Sequence, residues 1–192
     1  SFLQPRALTP VANLGIVGPA MDAYQRLKTH IAQMSGVVVA YSGGVDSTLL
    51  AKAATDALGS ARAVSVLIES CLVPAAEVEE AVSQAEALGL HLIRLQADAM
   101  SIPGVPENEP DRCYHCKLAL FSRLVGVARD RDLPYVIDGS NADDEGDYRP
   151  GARALAELAV RSPFRELRYG KEQIRVISRE LGLRTWSKPS FA

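Results

Sequence analysis

Residues 41–47 read Tyr41-Ser42-Gly43-Gly44-Val45-Asp46-Ser47, a glycine-rich segment between an apolar run at 37–40 and a helix-forming run at 48–54. This order predicts a buried strand, a tight turn and a helix. Gly43 and Gly44 can take left-handed backbone conformations that point successive N–H groups at one place. The positive end of a helix that begins near Ser47 would face the same place. The segment therefore predicts a phosphate site.

The predicted phosphate loop differs from a Walker A motif. A Walker A motif has a lysine and a Ser or Thr after its last glycine, whereas Asp46 stands here instead. A carboxylate beside a triphosphate requires a divalent cation between them, and Mg²⁺ is the expected ion. The alternative is an ordinary strand-to-helix turn in which Asp46 and Ser47 cap the helix.

Apolar runs of strand length alternate with longer segments of helical pattern along most of the chain. The predicted strands are 37–40, 62–68, 91–95 and 135–138, and the predicted helices are 19–34, 47–58, 75–88, 113–131, 151–158 and 171–181. Such alternation predicts the α/β class, with a Rossmann-like parallel sheet flanked by helices. The loops after the strands, 97–111 and 139–151, would then meet at the edge where open α/β sheets bind ligands.

The composition predicts an ordinary globular chain. Its 192 residues carry a net charge of −2, 47% are hydrophobic, and no apolar run reaches the length of a membrane span. We therefore expect neither a nucleic-acid partner nor a membrane partner. Three cysteines, two of them close together, favour a reducing compartment, so the cytoplasm is the predicted location. Residues 1–18 are predicted to be an arm or tag remnant, and 19–192 one domain.

Two further groups of residues bear on chemistry. Five carboxylates crowd the loop after the fourth strand, where they could hold magnesium, and Arg149 in the same loop could contact a phosphate or carboxylate. A solvated acidic loop is the alternative. Cys113 and Cys116 stand at the start of a predicted helix, where the helix N-terminus would lower the thiolate pKa. The pair could bind an iron–sulfur cluster, join Cys71 and His115 around zinc, form a redox disulfide, or be incidental.

Four motifs together make the chain resemble a known family. They are Ser42-Gly43-Gly44-Val45-Asp46-Ser47, Arg112-Cys113-Tyr114-His115-Cys116-Lys117, Asp138-Gly139-Ser140-Asn141 with Asp147-Tyr148-Arg149-Pro150-Gly151, and Trp186-Ser187-Lys188-Pro189-Ser190. The first resembles the SGGxDS signature of the PP-loop ATP pyrophosphatases, whose fold is similar to that of the adenine nucleotide alpha hydrolases. The order of all four resembles the LarE family, the ATP-dependent sulfur transferases of nickel-pincer nucleotide synthesis for lactate racemase.

The resemblance implies an activity. A LarE-type enzyme cleaves ATP between its α and β phosphates and adenylates a carboxylate of pyridinium-3,5-biscarboxylic acid mononucleotide. It releases pyrophosphate and converts the activated carboxylate to a thiocarboxylate. The implied partner is this small-molecule nucleotide, the implied cofactors are ATP and Mg²⁺, and the implied assembly is a homo-oligomer.

The resemblance also assigns residues. It implies nucleotide contacts by Ala40, Ser42, Gly43, Gly44, Val45, Asp46, Ser47, Lys117, Gly139 and Arg149. Asp46 would hold Mg²⁺, and Asp46, Lys117, Cys113 and Cys116 would be catalytic. For Lys117 the alternative is a plain surface lysine.

The sulfur source stays open between two routes. Some LarE members sacrifice a cysteine, which here would follow Ala192, so the part from about 160 to 192 would lead into a sulfur-transfer region that looks truncated. Other PP-loop sulfur transferases bind a 4Fe-4S cluster, for which Cys113 and Cys116 would be two ligands and a third cysteine would lie beyond the chain end.

Three rival functions remain at this stage. A PP-loop amide ligase similar to GMP or NAD synthetases would adenylate and then accept ammonia, and it has no need of the cysteine pair. A tRNA thiolase would be expected to show a basic RNA-binding surface. A degenerate nucleotide-binding module would bind ATP without catalysis.

Overall fold

The computed structural model describes residues 18–144 and 150–189. The predicted arm therefore lies almost entirely outside the described residues. The strands are β1 (Val37–Tyr41), β2 (Ala63–Glu69), β3 (His91–Gln96) and β4 (Tyr135–Ile137). The helices are α1 (Pro19–Ala32), α2 (Val45–Leu58), α3 (Ala75–Ala87), α4 (Arg112–Asp130), α5 (Pro150–Glu157), α6 (Pro163–Glu166) and α7 (Lys171–Glu180), with 3₁₀ turns at Ala99–Ser101, Ala142–Asp144 and Arg184–Ser187.

The four described strands form one parallel sheet in the order β3-β2-β1-β4. β1 lies inside the sheet, and Val37 pairs with Ala63 on one side and with Tyr135 on the other. The predicted α/β class with a parallel sheet is confirmed. Because all strands run the same way, the segments that follow β1, β2 and β4 leave the sheet at one edge.

Helices cover both faces of the sheet, and the sequence of β1 explains why. Val37, Val39 and Tyr41 point into a core shared with α1, α2, α3 and α7, while Val38 points into a second core shared with α4. Successive strand residues face opposite sides, so a strand buried on both faces needs a continuous apolar run. The run at the start of β1 supplies it.

Most element boundaries differ from the sequence prediction by one or two residues, and one short helix was not predicted. Helix α2 begins at Val45, two residues before Ser47. Strand β4 ends at Ile137, one residue before the predicted end, and the N–H of Asp138 donates to the carbonyl of Arg161 at an isolated parallel bridge beside β4. Helix α6 was not predicted, since its four residues are too few to show a helical period.

Candidate active site

The phosphate loop joins β1 to α2. Gly43 has a φ of 74°, so the predicted left-handed conformation is found there. Gly44 is extended, with φ −80° and ψ 174°, so the same prediction for Gly44 is wrong. A Cβ on Gly43 would lie 2.5 Å from the Cβ of Ala81, because α3 packs directly against the turn. Both backbone conformation and space therefore require glycine at position 43.

Asp46 and Ser47 do not cap α2. The N-cap is Gly44, without a side-chain cap bond, and both residues lie in the first helical turn. The Ser47 hydroxyl accepts the backbone N–H of Ser42 at 3.1 Å and lies 3.0 Å from the Ser42 hydroxyl. Ser47 thus stabilises the loop through Ser42. The alternative in which Asp46 and Ser47 cap α2 is wrong.

Asp46 is half-buried beneath the loop. Its Oδ2 accepts from Lys171 Nζ at 2.6 Å and from Asn141 Nδ2 at 3.5 Å. Its Oδ1 is buried and has no hydrogen-bond partner among the described residues. Burial raises the pKa of Asp46, and the hydrogen bond from Lys171 opposes that rise. An unpaired buried carboxylate oxygen is a suitable ligand atom for a divalent cation.

One cavity of about 550 Å³ collects most of the predicted nucleotide residues. The predicted residues on its wall are Ala40, Ser42, Gly43, Gly44, Val45, Asp46, Ser47, Lys117 and Gly139. Side chains from β2 and α4, including Val66, Ile68 and Phe121, form an apolar part of the same wall. Arg149 lies outside the described residues. The cavity combines polar and apolar walls, as a nucleotide site requires.

Lys117 extends from α4 into this cavity. A Cβ on Gly151 would lie 2.7 Å from Lys117 Cδ, so the lysine stem packs against the start of α5. The side chain is half-buried rather than freely solvated. Lys117 therefore lines the cavity with its stem held in place, which suits a phosphate contact.

Asp138 follows β4 and also lines the cavity. Its two carboxylate oxygens accept the hydroxyls of Ser140 and Ser162, each at 2.6 Å. The side chain is buried, and these two bonds satisfy it. Asp138 is one of the loop carboxylates predicted as candidates to hold magnesium, and in the structure both of its oxygens already accept hydroxyl groups.

Two cavity lysines were missed as site residues. Lys171 is the first residue of α7, and Lys188 belongs to the Trp186-Ser187-Lys188-Pro189 segment. Lys188 Nζ lies 2.9 Å from Glu80 and 3.4 Å from the Gly43 carbonyl. The motif around Lys188 could have revealed it, whereas a lysine at a helix start gave no signal for Lys171.

The terminal segment is tied to α7. Arg175 donates to the Trp186 carbonyl at 2.5 Å and to the Lys188 carbonyl at 2.6 Å. Since Lys188 reaches the Gly43 carbonyl from this segment, Arg175 indirectly positions one lysine at the phosphate loop. Pro189 lines the same cavity.

The cysteine pair lies outside the cavity wall. Cys113 is exposed and Cys116 is half-buried, both near the start of α4. Burial raises the pKa of the Cys116 thiol, and Cys113 raises it further, so the predicted lowering is wrong for Cys116. His115 contacts Asp111 at 3.0 Å. The described part of the chain contains no group of three His, Cys, Asp or Glu side chains placed to hold a metal, so the zinc arrangement is not assembled there.

Comparisons with known proteins agree with this architecture. A family model described as NAD synthase matches residues 21–102. An NH3-dependent NAD synthetase from Campylobacter jejuni superposes with a TM-score of 0.68 at 19% identity, covering 92% of this chain and 80% of that one. At 19% identity, the superposition shows that the two chains share a fold, and it carries no conclusion about function. Within residues 18–144 and 150–189, no helix combines the length and apolar character needed to cross a bilayer.

Two curated relatives are more similar in sequence. An uncharacterized protein of Synechocystis sp. is 40% identical over 166 residues, 86% of this chain and 62% of the relative. The pyridinium-3,5-bisthiocarboxylic acid mononucleotide synthase of Lactiplantibacillus plantarum is 37% identical over 158 residues, 82% of this chain and 57% of the relative. The chain thus spans about 60% of the length of these relatives. The resemblance to the LarE family that the motifs indicate is confirmed by this sequence similarity.

Proposed function

We propose that the chain is the ATP-using part of a sulfur transferase acting on pyridinium-3,5-biscarboxylic acid mononucleotide. A substrate carboxylate oxygen attacks the α-phosphorus of ATP, the bond between the α and β phosphates breaks, and pyrophosphate leaves. A sulfur nucleophile then attacks the activated acyl carbon and displaces AMP, leaving a thiocarboxylate. The observation that carries this proposal is that the phosphate loop, Lys117 and Gly139 line the same cavity.

The charges around the cavity support phosphate chemistry. The loop, the start of α2, Lys117 and Lys188 all line the cavity, and the N-terminal end of α2 and the two lysines bring positive charge to it. Negative charge that builds on the leaving pyrophosphate would meet these positive groups. Positioning ATP and the substrate carboxylate in one cavity would further accelerate adenylation.

The described residues fit a magnesium ion. Asp46 presents a buried carboxylate oxygen without a partner among them, and Asp144 lines the same cavity. We assign Mg²⁺ to Asp46, where the bound ion would offset phosphate charge. The predicted contact of Arg149 with a phosphate or carboxylate stays a prediction.

The described residues do not by themselves fit a 4Fe-4S cluster. Cys113 and Cys116 offer two thiols, and no third ligand is grouped with them in the described part of the chain. We therefore derive no step through a cluster. The sulfur-handling role of both cysteines, the single domain at 19–192, the cytoplasmic location and the homo-oligomer all stay predictions.

The test supplies the full-length protein with ATP, Mg²⁺, the biscarboxylic mononucleotide and sulfide. We expect pyrophosphate and AMP release that depends on the mononucleotide, and a product whose mass reports exchange of oxygen for sulfur. Asp46→Asn should abolish both signals, while Asp130→Asn, on the exposed end of α4, should leave them unchanged. Absence of mononucleotide-dependent pyrophosphate release in the wild-type protein would contradict the proposal.

A second candidate is an ATP-dependent amide ligase, which the match to the NAD synthase model favours. Both reactions share the adenylation step and differ in the nucleophile. Replacing sulfide with ammonia in the same assay separates them. An amide product formed with ammonia, and no thiocarboxylate formed with sulfide, would select the ligase.

A further inference from the structure

The first residue of α7 reaches the carboxylate assigned to the metal. Lys171 Nζ donates to Asp46 Oδ2 at 2.6 Å across 125 positions of sequence. The two side chains are 26% and 20% exposed, so water screens the pair only in part. Both residues line the cavity. The Lys171 ammonium is thus hydrogen-bonded to one oxygen of Asp46, the same carboxylate at which a divalent cation would bind.

The backbone of Lys171 is held in place. Its N–H donates to Asp143 Oδ2 at 2.7 Å, and Ile174 and Ile177 of α7 are buried in the core. A Cβ on Gly170 would lie 2.9 Å from Asp143 Oδ1, so the turn before α7 closes tightly on this carboxylate. The helix start is therefore fixed, and the lysine side chain can move by rotation about its own flexible stem.

A divalent cation at Asp46 and the ammonium of Lys171 would repel each other. At contact distances two like charges in a half-buried site interact strongly enough to disfavour simultaneous binding. The conflict disappears if a phosphate oxygen gives the ammonium a new partner. ATP, with several anionic oxygens, brings such a partner into the same cavity together with the metal.

We propose that Lys171 is a positioning residue that occupies Asp46 in the absence of nucleotide and moves to a phosphate oxygen when metal and ATP bind. Lys171 thereby keeps divalent metal off the empty site and makes metal and nucleotide bind together. This inference rests on the proposed use of ATP. The binding of metal and the binding of nucleotide are thereby coupled, because free metal competes with the Lys171 ammonium until a phosphate oxygen becomes the new partner of that ammonium.

The test measures two affinities of the full-length protein, with Mn²⁺ as the metal because its paramagnetic resonance signal reports the free ion. In the nucleotide-free protein, Lys171→Gln should bind Mn²⁺ about tenfold more tightly, as expected when a charged hydrogen-bond competitor is removed. With EDTA present, the same variant should bind ATP about tenfold more weakly. The two affinities therefore change in opposite directions, which a merely structural lysine would not produce.

Three matched variants sharpen the result. Lys171→Arg keeps the charge and should retain weak Mn²⁺ binding. Lys52→Gln removes a lysine of α2 that pairs with Asp56 at the same 2.6 Å and does not line the cavity, and it should change neither affinity. Asp46→Asn placed in the Lys171→Gln background should cancel the gain in Mn²⁺ affinity, since it removes the carboxylate that the metal would use.

Thermal unfolding of each variant monitors folding, and Lys171→Met serves in place of Lys171→Gln where the latter does not fold. Unchanged Mn²⁺ affinity, or a fall in both affinities together, would overturn the role of Lys171. If the wild type still releases pyrophosphate in that event, the proposed function stands. If the two affinities shift as expected and no adenylation occurs, the proposed function fails and the role of Lys171 stands.

Discussion

The backbone of Gly139 packs against the side chain of Asp46 at the carboxyl edge of the sheet. A Cβ at position 139 would lie 3.0 Å from the Cβ of Asp46 and 3.2 Å from the N of Ser47. The loop after β4 therefore closes on the first turn of α2 with no room for a side chain. This contact connects the acidic loop to the phosphate loop and fixes where Asp46 can point.

Gly139→Ala should push the two loops apart. Since the neighbours of the added methyl group are largely backbone or first-carbon atoms that cannot rotate away, we expect a loss of about 1–3 kcal/mol in stability. ATP affinity should also fall, because Asp46 and the loop N–H groups lose their alignment. Denaturant unfolding and calorimetric ATP titration measure the two effects.

The control is Gly126→Ala. A Cβ on Gly126, inside α4, meets nothing within 4 Å. It should stabilise the protein by about 0.5–1 kcal/mol, as alanine does in a helix, and leave ATP affinity unchanged. Equal effects of the two substitutions would contradict the assigned contact.

Gly43→Ala should be more disruptive than Gly44→Ala. At Gly43 the left-handed backbone alone disfavours alanine by about 1–2 kcal/mol, and the contact with Ala81 adds to this. At Gly44 the backbone is extended and the nearest atom to an added Cβ is the Ser42 hydroxyl at 3.4 Å. Unfolding free energies of the two variants provide the comparison.

A double-mutant cycle isolates the contact between Gly43 and Ala81. Ala81→Gly alone should destabilise α3 by about 1 kcal/mol. In the Gly43→Ala background it should cost less or even stabilise, because it removes the opposing Cβ. Strict additivity of the two changes would show that the backbone conformation, and not the packing of α3, sets the requirement for glycine.

The reactivity of Cys116 should depend on pH in a predictable direction. Burial and the neighbouring Cys113 raise its pKa, so the reactive thiolate forms at higher pH than in an ordinary cysteine. In a Cys71→Ser/Cys113→Ser variant, iodoacetamide alkylation of Cys116 should reach half its maximal rate above the midpoint of a cysteine peptide measured in parallel. Burial is the larger cause, so the shift should survive loss of Cys113. A midpoint at or below that of the peptide would contradict it.

Arg175→Lys should loosen the segment that carries Lys188. A lysine cannot donate to the carbonyls of Trp186 and Lys188 together with the fork geometry that arginine offers. We expect faster amide hydrogen exchange across residues 185–189 and a weaker affinity for ATP. Arg129→Lys, on the exposed end of α4, is the matched control. Unchanged exchange in Arg175→Lys would show that other contacts hold the segment.

The sequence predicted the fold well because the signals for it are local. An apolar run makes β1, a glycine pair makes the turn, and helical periodicity makes α2, so each element was identifiable without its neighbours. The predicted nucleotide residues that line the cavity were identifiable for the same reason. They belong to short motifs or directly follow a predicted strand.

The missed features depend on contacts between distant parts of the chain. Lys171 meets Asp46 only after α7 has packed onto α1 and α2, and Ser162 meets Asp138 only after the segment at 161–162 has come to lie beside β4. The raised pKa of Cys116 likewise follows first from burial by tertiary packing. No periodicity in one sequence encodes such pairings.

Strand β1 is paired on both sides, and this position in the sheet affects the order in which parts of the protein unfold. Val37, Val38 and Val39 are fully buried, so local opening should reach this strand last. The outer strand β3, whose residues are half-buried or exposed, can fray while the β1–α2 connection persists. Partly opened molecules would then still hold a phosphate group, and nucleotide would protect them from proteolysis as well as protecting the intact fold.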